Sequence, residues 1–82
     1  MFVLIIGSAP DALRAQSFNR ELFQCVVAIN NAWNVRNDWD YCIFPDDFPE
    51  NSRPNNNKNQ SLIGSDQYVP FQNRYGGFVY AG

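Results

Sequence analysis

The chain has no histidine, which removes the commonest general base and the commonest metal ligand from any mechanism it could support. It also has no cluster of Lys or Arg. With a net charge of −2 and an isoelectric point of about 4.7, it lacks the electrostatic footprint of a nucleic-acid binder. No long hydrophobic run is present: "MFVLIIG" has no basic flank and is far too short to cross a bilayer, so it reads as a buried strand and not as a leader or transmembrane segment. Cysteine is scarce. Cys25 and Cys42 lie inside the apolar segments "FQCVVAI" and "DYCIF", where small reduced thiols pack well, and nothing signals export, so a cytoplasmic protein without disulfides is expected.

What remains is the composition of a folding protein, 45% hydrophobic and 16% aromatic, but only 82 residues long. That length permits one small domain and leaves little room for a complete two-substrate active site. Phe2 to Ile6 is a continuous apolar run rich in β-branched residues, the pattern of a strand buried on both faces of a parallel sheet. Ser8 and Asp11 then stand in the S-x-x-D relation of a helix start, with Pro10 in the first turn and Ala12, Leu13 and Ala15 following, so a short helix is expected from about Ala9 with Ser8 as its cap. Cys25 to Ile29 and Tyr41 to Phe44 are two further buried strands. The expected fold class is therefore α/β: a partial Rossmann-like three-layer fold with a mostly parallel sheet, its crossovers right-handed.

Residues 1–48 form the β-α-β-β core of this single partial domain. Residues 49–61, "PENSRPNNNKNQS", read as an exposed Asn- and Pro-rich loop, and residues 62–82 as an aromatic segment with one short strand, broken at Pro70 and Gly76-Gly77. Because "FVYAG" stops within an apolar run with no helix to close the sheet's second face, the chain reads as the N-terminal part of a longer one.

In open parallel sheets ligands bind outside the carboxyl ends of the strands. Three such ends can be compared here: Gly7 to Pro10, Asn30-Asn31, and Pro45 to Asp47. Each passes abruptly from apolar to small, amide or carboxylate residues. Gly7, without a Cβ, would let a ligand approach the main chain, and the amides of Ala9 and Asp11 would lie at a helix start with its partial positive charge, a location that suits phosphate. The bland alternative is a strand-to-helix turn with no ligand. The loop is neither a Walker motif nor a full G-x-G-x-x-G. Asn30 and Asn31 can read a base edge or a sugar hydroxyl, or can simply tolerate the turn after a strand. Asp38 and Asp40 spell the D-x-D of metal-dependent sugar transferases but precede the third strand, at the wrong edge of the sheet. Asp46 and Asp47 lie at the right one. Trp33, Trp39, Tyr68, Phe71, Tyr75, Phe78 and Tyr80 are core or lid candidates, and Arg74 could clamp an anion.

Together "IIGSAP", "AINNAW" and "IFPDDF" resemble the bacterial sialyltransferase-like family, whose Rossmann-like sheet starts with a strand running into a Gly-Asn-Gly-Pro-Ser loop. A weaker similarity is to archaeal hydroxymethylpterin pyrophosphokinase-like proteins, which share a Gly-x-Gly-Pro-Ser start. The resemblance covers the first half of the chain. It implies that Gly7 and Pro10 match the loop against the nucleotide phosphate, that Asn30 matches the asparagine contacting the donor, and that Asp46 approximates the third polar position. Ser8 stands where the family has Asn, Ala9 where it has its second Gly, and Asp11 where it has Ser. The implied function is the nucleotide-sugar-binding N-terminal portion of a glycosyltransferase-like protein, holding the donor with Gly7, Ser8, Ala9, Pro10, Asn30, Asn31 and Asp46 and needing no cofactor. Alternatives are a noncatalytic or truncated nucleotide-binding module, and pyrophosphokinase-like chemistry in which Asp46 or Asp47 would hold magnesium.

Overall fold

A computed structural model describes residues 2–45, 47–54, 61–64 and 77–82, with 61–64 described as backbone only. Five strands, β1 (Phe2–Ile6), β2 (Phe23–Ile29), β3 (Tyr41–Phe44), β4 (Ser61–Gly64) and β5 (Phe78–Ala81), form one sheet in the order β4-β3-β2-β1-β5. Every pairing is parallel. The chain steps outward from β1 through β2 and β3 to β4, and β5 then returns to the opposite side of β1. Strand order therefore reverses beside β1, as in Rossmann-like α/β folds.

Strict alternation divides the sheet's side chains between two faces. Leu4, Ile6, Val26, Ala28, Cys42 and Ala81 pack on one face with Ala12, Ala15, Ala32 and Trp39. Val3, Ile5, Cys25, Val27 and Ile43 form the buried cluster of the other. Apolar residues on both faces explain why β1 reads as an unbroken run rather than an alternating one. Cys25 and Cys42 are free, buried, and on opposite faces, so no bond can join them.

The helical elements differ in kind from the expected α-helix. The segment after β1 is a 3₁₀ helix, η1 (Pro10–Ser17), and shorter 3₁₀ turns follow: η2 (Arg20–Leu22), η3 (Asn30–Asn34) and η4 (Glu50–Ser52). Eight residues is long for this geometry. The reason lies in the spacing of the sheet-facing residues. Ala12, Ala15 and Phe18 recur every third position, and three residues per turn aligns them in one row against the sheet. Ser8 does not cap this helix. Ala9 occupies the N-cap position with no side-chain hydrogen bond, and Asp11 instead accepts from Arg14 Nε at 2.9 Å.

Arg36 secures the far end of η1. Its Nη1 donates to the carbonyls of Ala15 (2.9 Å) and Phe18 (2.7 Å), while Nε and Nη2 make a two-pronged pair with Asp38 at 2.8 and 2.7 Å. One planar side chain thus satisfies the exposed end of a helix and fastens it to the loop before β3.

Two strand assignments differ from expectation. β2 begins at Phe23 rather than Cys25, because the register shifts at Gln24 and lets Phe23 join the first core face. From residue 61 onward the described residues hold two strands, not one: β4 takes the last residue of the expected loop, and "FVYA" pairs with Val3 to Ile6 of β1. The candidate aromatics Tyr68, Phe71 and Tyr75, with Arg74, lie outside the described residues. No helix among the described residues is long and apolar enough to cross a membrane.

Candidate functional site

The loops after β1 and β2 face one another at the carboxyl edge of the sheet, next to the strand-order reversal. Between them is a groove of about 370 Å³ lined by Gly7, Ser8, Ala9, Pro10, Asn31 and, from the flanking helices, Ala12, Leu13, Ala32, Asn34 and Val35. Its floor is apolar and its rim carries the Ser8 hydroxyl and the amides of Asn31 and Asn34. This volume lies at the lower end of the range for small-molecule sites.

Of the expected site residues, the structure brings five together here: Gly7, Ser8, Ala9, Pro10 and Asn31. The N–H groups of Ser8 and Ala9 carry no backbone hydrogen bond among the described residues, and Ala12 N–H closes the first turn on the Ala9 carbonyl at 2.9 Å. The loop therefore presents donors beside a helix start, where partial positive charge collects. Asn34, which sequence reading passed over, shares the rim because it follows Asn31 by one 3₁₀ turn and donates from Nδ2 to the Asn31 carbonyl at 3.2 Å. The three-residue spacing was the available signal.

Gly7 serves a purpose other than the expected one. Its N–H donates to the Ala81 carbonyl at 2.6 Å, so it is not available to a ligand. The space a Cβ would take is filled by the Tyr80 hydroxyl, with the Gly82 Cα and Tyr80 Cζ each 3.0 Å away. Gly7 has no positive φ. The residue is small because β5 lays Tyr80 across it.

The left-handed residue is Asn30, at φ 55°. Asn tolerates this conformation better than other non-glycine residues, so the turn reading of Asn30 is correct as far as its backbone goes. Its side chain is less simply explained, because the buried Oδ1 has no hydrogen-bond partner among the described residues. Its carbonyl accepts a weak bond from Cys42 Sγ at 3.5 Å. Burial pushes the Cys42 thiol up to about 11, which keeps it protonated and unreactive at neutral pH. Asn30 sits at the same sheet edge as the groove but does not line it.

The acidic candidates separate by sheet edge. Asp40, just before β3, accepts the Val26 N–H (2.8 Å) and Arg20 Nη2 (2.9 Å) on Oδ2, while its own N–H donates to the Val26 carbonyl at 2.8 Å. Asp38 is held by Arg36 with Arg20 3.9 Å away, and the hydrogen bond from Arg36 holds its carboxyl pKa below the usual carboxylate range. The D-x-D pair thus braces the amino edge of the sheet. Asp47 is exposed in the turn after β3 and does not line the groove, and Asp46 lies outside the described residues. Among the described residues no group of three or more His, Cys, Asp or Glu could hold a metal ion.

Compared with protein-family models, with curated proteins and with solved structures, the chain matches none.

Proposed function

We propose that this chain binds a nucleotide, of the nucleotide-sugar class, in the groove between the β1–η1 loop and η3, as the donor-side portion of a glycosyltransferase-like protein. The observation that carries this reading is the meeting of two strand-end loops around a groove of about 370 Å³ at the carboxyl ends of β1 and β2. The phosphate would take the N–H groups of Ser8 and Ala9 at the start of η1. The base or sugar would lie on Pro10, Leu13 and Val35 and exchange hydrogen bonds with the amides of Asn31 and Asn34. Asp11, exposed near this loop, has its charge countered by Arg14, which lessens its repulsion of an anion.

A second reading, binding without turnover by this chain, is favoured by one observation: none of the described residues lining the groove is titratable. Magnesium-dependent pyrophosphokinase-like chemistry has less support, since Asp47 stands away from the groove.

The test is calorimetric titration of the folded chain with CMP, CDP and UDP, with and without magnesium. Two variants localise the site. Ala9→Pro removes one N–H at a residue whose φ of −85° nearly suits proline, and Asn31→Leu removes a rim amide. Metal-independent binding weakened in both variants supports the proposal. No binding by a folded chain, or binding indifferent to both changes, rejects it.

A further inference from the structure

A second and larger groove, of about 1070 Å³, lies on the other side of η3 and shares Asn34 and Val35 with the first. We infer that this groove is a binding site for a neutral saccharide. The argument rests on what lines it. Gln16, Asn34, Asn37 and Asn51 are exposed carboxamides, each able to donate and accept, which matches the paired donor and acceptor character of sugar hydroxyls. Trp33 is half-buried, and its indole is held in place by donation from Nε1 to the Ser52 carbonyl at 2.9 Å, leaving a fixed ring for the C–H face of a pyranose.

The charged side chains of the lining are already engaged. Arg36 and Asp38, both in the lining, neutralise one another through two hydrogen bonds. The Arg53 guanidinium donates to the Phe48 carbonyl at 2.9 Å and lies 4.6 Å over the Phe44 ring. An anionic ligand would have to compete with these partners. A hydroxylated neutral one would not.

Asn34 and Val35 line both grooves, so a saccharide held here lies beside the smaller groove and not in line with a ligand in it. The saccharide site therefore does not rest on the nucleotide reading.

The chain's two tryptophans both line this groove, so intrinsic emission reports on it selectively. The full chain is titrated with lactose, maltose, N-acetyllactosamine and mannobiose, following tryptophan emission, and with CMP by calorimetry. The expected result is a saturable emission change with at least one disaccharide, weakened about tenfold in Gln16→Leu/Asn51→Leu through the loss of two amide hydrogen bonds. Neither side chain is hydrogen-bonded among the described residues, so the fold should survive, as circular dichroism would verify. The inference is overturned if no disaccharide gives a saturable change, or if the double variant binds as well as the unaltered chain. CMP binding without saccharide binding defeats this inference alone, and saccharide binding without CMP binding defeats the nucleotide reading alone.

Discussion

Replacing Gly7 with alanine tests whether that glycine exists for a ligand or for Tyr80. The new methyl would meet the Tyr80 hydroxyl and press on the Gly82 Cα at 3.0 Å. Overfilling a packed site typically costs about 1–3 kcal/mol. Against this, alanine at a compatible φ restricts the unfolded chain and stabilises by about 0.4–1 kcal/mol, and Gly7 has no positive φ to forbid it. The net expectation is a loss of about 1–2 kcal/mol. Removing the phenol first lowers the cost. In a Tyr80→Ala background only the Gly82 Cα at 3.0 Å still opposes the methyl, and Gly7→Ala should cost less than about 1 kcal/mol. Urea unfolding of the four proteins, followed by circular dichroism with the denaturant slopes compared, measures the coupling. If Gly7→Ala costs the same in both backgrounds, the packing account of Gly7 is wrong, and its small size must be explained by something that approaches the loop from outside.

Three further changes probe the rest of the molecule. Asp40→Ala leaves the buried Val26 N–H and Arg20 without their shared acceptor and should cost about 2 kcal/mol in urea unfolding, while leaving CMP affinity unchanged because the amino edge is distant from the groove. Asp38 has a lowered pKa in the folded state, so its stabilisation is present above the unfolded value near pH 4 and lost as pH falls through the folded one; Asp38→Asn should be less stable at neutral pH and should lose less on acidification to about pH 3. Asn30→Gly removes a buried acceptor that has no partner and suits φ 55°, so the free chain should gain roughly 1 kcal/mol in thermal or urea unfolding. A variant that loses stability would contradict the orphaned state of Oδ1.

The strands most legible in the sequence were those whose apolar runs are uninterrupted. β1 and β3 fall where "FVLII" and "YCIF" predict, because burial on both faces leaves no polar residue to blur their ends. β2 was shortened by the exposed Gln24, which marks a register shift that a linear pattern cannot distinguish from a loop. The helix after β1 was located correctly but assigned the wrong pitch, since Ala12 and Ala15 fit either a 3₁₀ or an α row until Phe18 extends the row at threes. β5 and the role of Gly7 were hidden for one reason: both depend on contacts between the two ends of the chain. Nothing around Gly7 in the sequence points to a tyrosine that reaches it only after β5 returns to β1.

These assignments exchange the roles of two residues. Glycine after a first strand suggests an unusual backbone and an open approach, yet Gly7 has neither: its N–H is bonded, its open side is filled, and its φ is not positive. The unusual backbone belongs to Asn30, where glycine would be the easier choice sterically. A turn alone would favour glycine there, because a buried carboxamide oxygen without a partner costs about 1–3 kcal/mol. The residue at this position therefore carries a cost that the turn does not require, at the same edge of the sheet where two loops enclose a groove. The polar groups left without a partner at this edge, among the described residues, thus include the Ser8 and Ala9 N–H groups and Asn30 Oδ1, whereas the Gly7 N–H is taken by Ala81.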